Sequence, residues 1–162
     1  MLYRDGLLTE EEFKKLLPSN ERRKKGPYVI VECLQGIPCD PCVRSCRTGA
    51  MAKHNLADTP EVSYENCIGC NACVGACPGH ACFVIDESLS DDTYLLTLPY
   101  EMIPSPQAGE VADLLDRQGT AIDRGTIRRV VEHDKTYVVT VEVPKKYLYE
   151  VRSIRLNNST EV

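Results

Sequence analysis

Apolar and polar positions follow three different rhythms along this chain. Near the start, Thr9-Glu10-Glu11-Glu12 has the form of a capping box, in which a threonine hydroxyl and a glutamate three residues on satisfy each other's backbone N–H. It predicts a short helix through Leu17, with Phe13, Leu16 and Leu17 on one face. Pro18-Ser19-Asn20 ends that helix, and the polar residues 18–27 read as a linker or arm. Tyr28-Val29-Ile30-Val31 is a continuous apolar run leading into Cys33, a strand signal, and Cys82-Phe83-Val84-Ile85 is a second one. Residues 86–94 are acidic and serine-rich and mark a boundary, and Pro99, Pro104 and Pro106 interrupt the segment beyond it. From Thr136 to Val143 the rhythm is strictly two: Tyr137, Val139, Val141 and Val143 alternate with Thr136, Val138, Thr140 and Glu142, as in a half-buried strand. A further strand is expected within Val151 to Leu156. The expected fold class is α+β: an N-terminal helix and basic arm over 1–27, a cysteine-bearing domain over 28–86, and a small antiparallel sheet or barrel over 95–157.

The middle segment repeats. Cys39-Asp40-Pro41-Cys42-Val43-Arg44-Ser45-Cys46 and Cys70-Asn71-Ala72-Cys73-Val74-Gly75-Ala76-Cys77 share gaps of two and three residues and a valine after the second cysteine, which points to an internal duplication. Each half reads as strand, cysteine loop, one- or two-turn helix and return strand. The second run, Cys67-x2-Cys70-x2-Cys73-x3-Cys77-Pro78, is the complete bacterial signature for a 4Fe–4S cluster. Three cysteines three residues apart wrap a loop around three corners of a cubane, and slim residues such as Gly69 and Ala72 let the backbone come close. The fourth cysteine lies on the helix after that loop. The first run, Cys33-x5-Cys39-x2-Cys42-x3-Cys46, departs from this: five residues, Leu34 to Pro38, separate its first two cysteines, and Arg47 stands where proline is usual. Four-thiolate zinc sites use two separated cysteine pairs, a weaker match to runs of four. Cys82 is a ninth thiol on an apolar strand, read as a small core residue. His54, His80 and His133 have no paired spacing and default to surface or packing roles.

Composition narrows the function classes. Of 162 residues, 19 are basic and 24 acidic, a formal charge of −5, which disfavours non-specific nucleic-acid binding. The basic run Arg22-Arg23-Lys24-Lys25 reads as a solvated linker, with docking to an acidic surface as its sharper alternative. No apolar run approaches the roughly 20 residues of a membrane span, and no signal-peptide stretch opens the chain, so a reducing cytoplasmic setting is expected, where dense cysteine means metal chemistry. Residues 27–86 carry three bases and six acids, which favours oxidised clusters and lowers their potential. No phosphate loop, nucleophile motif or nicotinamide-binding βαβ unit is present in the sequence, so no catalytic residues are assigned.

Residues 28–86 resemble the two-cluster bacterial-type ferredoxin fold. The resemblance implies crossed ligand sets: Cys33, Cys39, Cys42 and Cys77 for one 4Fe–4S cluster, and Cys67, Cys70, Cys73 and Cys46 for the other. Should Cys33 not reach across its insertion, the first cluster would be a three-iron form. The wider pattern looks like the small iron–sulfur subunit of flavin-dependent amine or amino-acid dehydrogenase complexes, of the proline, hydroxyproline or sarcosine type. It is carried by Glu32-Cys33, Ile37-Pro38-Cys39-Asp40-Pro41-Cys42, Arg47-Thr48-Gly49-Ala50-Met51 and Lys135 to Pro144. That likeness implies a relay of single electrons in a hetero-oligomer with FAD- or FMN-containing oxidoreductase subunits. The rival expectations are a stand-alone soluble ferredoxin and a zinc-stabilised interaction module.

Overall fold

The computed structural model describes residues 6–157. Mostly antiparallel sheet with few helices, it holds the cysteine loops against one face of that sheet. Helix α1 (Glu10–Leu16) starts at the expected capping box, with the Thr9 hydroxyl accepting from the Glu12 N–H at 3.2 Å and the Glu12 carboxylate accepting from the Thr9 N–H at 2.8 Å. In place of the expected polar linker, Asn20–Lys24 forms a second short helix, α2, capped by the Ser19 hydroxyl. Serine after proline reads as a stop signal in the sequence; here it is a new N-cap.

The remaining elements are β1 (Tyr28–Val31), α3 (Pro41–Ser45), β2 (Met51–Ala52), β3 (Glu61–Val62), α4 (Ala72–Ala76), β4 (Cys82–Asp86), β5 (Thr93–Tyr100), β6 (Val111–Leu115), β7 (Ala121–His133), β8 (Thr136–Pro144) and β9 (Ser153–Arg155). Seven strands make one antiparallel sheet in the order β1-β4-β5-β8-β7-β6-β9, and β2 pairs with β3 alone. Because β5 pairs directly with β4, with Ile85 opposite Leu96, the sheet runs without interruption from the cysteine-bearing segment into the C-terminal strands.

β1 and β4 are buried on both faces, which explains their unbroken apolar sequences. Tyr28, Ile30, Phe83 and Ile85 point to one side, into a core that also takes Phe13, Leu96, Val139, Val141, Leu114 and Ile154. Val29, Val31, Cys82 and Val84 point to the other side, where Val138, Val74, Met51, Cys42 and Cys73 complete a smaller core beneath the cysteine loops. The period-two reading of β8 holds: Val139, Val141 and Val143 are fully buried in the larger core. Pro99 hides β5 in the sequence; past Thr97 that strand has no β4 residue opposite it, the edge position where a missing N–H is tolerated.

Two ion-pair systems fasten the sheet to the N-terminal elements. The Glu32 carboxylate, next to Cys33 in sequence, accepts two hydrogen bonds from Arg117 at 2.8 and 2.7 Å and one from Arg152 at 2.8 Å. The Arg152 guanidinium lies 4.9 Å from the Phe13 ring centroid, and that of Arg117 lies 4.5 Å from Tyr149. In the second system, Arg23 forks onto Glu87 at 2.7 Å for each bond, and the Tyr28 hydroxyl donates to the same carboxylate at 2.6 Å.

Candidate functional site

The second cysteine run forms a loop shaped by two left-handed residues, Gly69 (φ +63°) and Asn71 (φ +67°), before α4 begins. Gly69 is demanded twice over: besides its φ, a Cβ there would lie 2.4 Å from the Pro27 Cβ. Arg22 locks the start of the loop. Its guanidinium donates to the carbonyls of Cys67 (2.7 Å), Pro27 (2.8 Å), Gly26 (3.1 Å) and Tyr64 (2.7 Å). Half of the basic run is therefore structural: Arg22 holds this loop and Arg23 holds Glu87.

The two cysteine-bearing helices match. α3 and α4 are both five residues long and pack together, and each is followed by an extended cysteine, Cys46 at φ −74°, ψ 105° and Cys77 at φ −74°, ψ 112°. Leaving the helix at the same angle sends each of these cysteines away from its own loop. Cys46 lines one cavity together with Cys67, Cys70 and Cys73, floored by Val29 and Val84. Burial raises the Cys46 thiol, but the backbone N–H groups of Met51, Thr48 and Ala50 and the Thr48 hydroxyl outweigh it and hold it below the ordinary thiol value. Four cysteines around one cavity, with backbone N–H groups acting on the Cys46 sulfur, are the donor set a 4Fe–4S cluster requires, so these residues fit the group.

The other four cysteines also lie near one another. Burial raises the Cys33 thiol, and the charges acting on it are those of Lys53, Cys77, Cys42 and Cys39. The five-residue insertion is braced by the segment opposite. Cys39 N–H donates to the Leu56 carbonyl at 3.3 Å, Lys53 donates to the carbonyls of Cys39 and Leu56, and a Cβ on Gly36 would come 2.9 Å from the Ala57 carbonyl. Among the described residues, no three His, Cys, Asp or Glu side chains converge to hold a single metal ion.

Cys82 is the residue whose setting the sequence does not reveal. It is buried as expected, at 1 % exposure, but it also lies in the same small core as Cys42, Cys73 and Cys77, whose sulfurs act on its thiol. Those sulfurs and its burial push Cys82 far up, while the Cys82 thiol brings Cys42 down to about 7 and Cys77 to about 5. Backbone N–H groups of Ala81, Gly79 and Cys82 add to the lowering at Cys77, and Ala81 N–H lies 3.3 Å from its sulfur. Cys82 thus sits between the two halves of the site. Its strand phase, odd against Phe83 and Ile85, is the one available signal. The histidines lie outside the cysteine groups: His54 is exposed near Glu61, His80 meets Glu101 at 3.1 Å, and the His133 ring packs against Gly75 of α4.

Comparison with known proteins agrees with this chemistry. Residues 60–83 match the 4Fe-4S binding domain family. The chain is 42% identical over 53 residues, 33% of its length, to the polyferredoxin-like subunit of an aliphatic sulfonate oxidoreductase from Pyrococcus furiosus. It is 47% identical over 38 residues, 24% of its length, to AegA of Escherichia coli, a protein named as an oxidoreductase. The matches span 28% and 6% of those relatives, so the chain covers only a part of each. No solved structure matches the chain at a significant level. Among the described residues, no helix is long and apolar enough to cross a membrane.

Proposed function

We propose that this chain is an electron-relay subunit carrying two 4Fe–4S clusters, one held by Cys33, Cys39, Cys42 and Cys77 and one by Cys67, Cys70, Cys73 and Cys46. The observation that carries the reading is the cavity in which Cys46, from the first run, meets Cys67, Cys70 and Cys73 from the second. Held by these residues, such clusters would supply one-electron transfer chemistry. The chain's own residues supply thiolates, backbone N–H groups toward the sulfurs, and apolar walls (Val29, Val84, Val74) that keep water away. The sheet that continues beyond β4 carries no cysteine and serves as a scaffold for contact with FAD- or FMN-containing subunits that oxidise an amine or amino acid. The subunit name of the Pyrococcus furiosus relative supports a place in a larger assembly.

The experiment is anaerobic purification of the native assembly with iron, sulfide and flavin analysis. About eight iron atoms per chain, with one cluster's signal lost in Cys33→Ser and the other's in Cys46→Ser, is the expected result. Four iron atoms in the wild type would remove the first cluster. Colourless, zinc-containing protein would sink the reading altogether, and a stable brown monomer without flavoprotein would leave a free ferredoxin.

A further inference from the structure

Ten arginines lie among the described residues, and eight have partners. Arg22 is spent on four carbonyls, Arg23 on Glu87, Arg44 on Asp40, Arg117 and Arg152 on Glu32, Arg124 and Arg155 on Asp113, and Arg128 on Glu142. Among the described residues, the side chains of Arg47 and Arg129 have no ion pair or hydrogen bond. Both are exposed, and both line the same open depression. With them stand His133, Val131, Thr140 and Cys70. Cys70 is the single exposed cysteine of the nine. No carboxylate lines the depression, although the chain carries five more acids than bases (24 − 19).

The fold goes out of its way to build this face. In β7, Ile127 pairs with Val141 and is buried in the larger core, so simple alternation would send residues 129, 131 and 133 to that same side. A bulge between Ile127 and Arg129 breaks the phase. Arg129 then pairs with Thr140 and Val131 with Val138, whose side chain belongs to the core under the cysteine loops. The extra residue thereby moves Arg129, Val131 and His133 to the cluster side, the re-aiming that bulges accomplish. Arg47 arrives independently, at the position after Cys46 where the ferredoxin signature has proline.

We infer that this face is the docking surface for a redox protein that presents a carboxylate-rich patch, and that electrons pass there through the edge of the Cys70 cluster. The inference rests on the reading of Cys67, Cys70, Cys73 and Cys46 as a cluster site. Two unpaired guanidiniums beside a thiol at the surface provide the attraction and the electron exit together. Exposed Val131 (41 %) adds the apolar contact that favours a protein surface over a small anion. Arginine next to exposed apolar side chains is the composition of an interface.

Cytochrome b5, an acidic haem protein, and cytochrome c, a basic one, are suitable probes for the anaerobically purified holoprotein. Titration calorimetry would give affinity, and stopped-flow spectroscopy would give the rate of cytochrome reduction by the dithionite-reduced protein. We expect cytochrome b5 to bind and react at least about tenfold faster at about 20 mM than at about 300 mM salt, in spite of the net negative charge. Arg47→Glu/Arg129→Glu is expected to reverse that dependence and to leave cytochrome c reduction undiminished. Arg47→Gln/Arg129→Gln, with an unchanged visible spectrum, is expected to abolish most of the salt effect and covers the case in which charge reversal impairs folding. A wild-type rate with cytochrome b5 that rises with salt, or one that neither variant alters, overturns the inference. Iron-free protein that still binds cytochrome b5 through these arginines overturns the cluster reading instead and leaves the surface standing.

Discussion

Replacing Glu32 by glutamine tests the connection between the cysteine segment and the rest of the sheet. The carboxylate is 11 % exposed and faces Arg117 and Arg152, whose side chains are 11 % and 7 % exposed. Burial alone would raise its pKa, but the two guanidiniums outweigh this and hold it below the ordinary value of 4.5. Glutamine keeps the shape and one oxygen, and so leaves two buried cations without a counter-charge. Removing one partner of a buried pair costs about 3–5 kcal/mol, and the retained oxygen places this case near the lower end. For a chain of this size each kcal/mol moves the melting midpoint by about 2–4 °C, so a fall of about 6–12 °C is expected. The assay is anaerobic calorimetry at a fixed scan rate, with Arg44→Gln as the control, because the Arg44–Asp40 pair is exposed and its loss should leave the midpoint in place. A lowered folded pKa means the Glu32 contribution is complete above 4.5 and is lost only as pH falls through the folded value. The gap between wild type and variant should therefore be constant from about pH 8 to about pH 5.5. A gap below about 2 °C, or one that shrinks within that range, would refute the argument.

Two further substitutions probe the site itself. Gly69→Ala combines a left-handed φ with a collision against Pro27, and should cost about 2–4 kcal/mol and bleach the Cys67–Cys70–Cys73 cluster first, whereas Gly79→Ala, which meets nothing within 4 Å, should be silent in anaerobic melting and electron paramagnetic resonance. Cys82→Ala should keep about eight iron atoms per chain while Cys73→Ala loses one cluster; a loss of iron in Cys82→Ala would make Cys82 a ligand rather than a neighbour of ligands.

What the sequence disclosed is what short-range chemistry dictates. The capping box at Thr9, the apolar runs of β1 and β4, the alternation in β8 and the spacing of Cys67 to Cys77 are all local patterns, and each appears where the sequence placed it. The rest depends on residues distant in the chain. Nothing around Arg22 announces that its guanidinium will hold the Cys67 carbonyl 45 residues away. The bulge at Arg128 is a matter of register between two strands, invisible to a period count that assumes one phase throughout. Cys82 looks like any small apolar residue because its neighbours, Cys42, Cys73 and Cys77, are assembled only by the fold.

The Glu32 network also sets an order of events during biosynthesis. Its contacts reach 85 and 120 residues along the chain, and Tyr149 closes on the Leu8 carbonyl across 141. A nascent chain that has emerged only as far as Cys77 has every proposed ligand but lacks Arg117 and Arg152, so the strand end that presents Cys33 is still loose. Such long-range closures form late in folding. The start of the Cys67 loop is braced by Arg22 and Pro27, both upstream, and can take its shape while synthesis continues, although α4 still awaits the strands it packs on. The two cysteine groups thus become ready for iron at different times, and the Cys33 group waits for the last strands of the sheet.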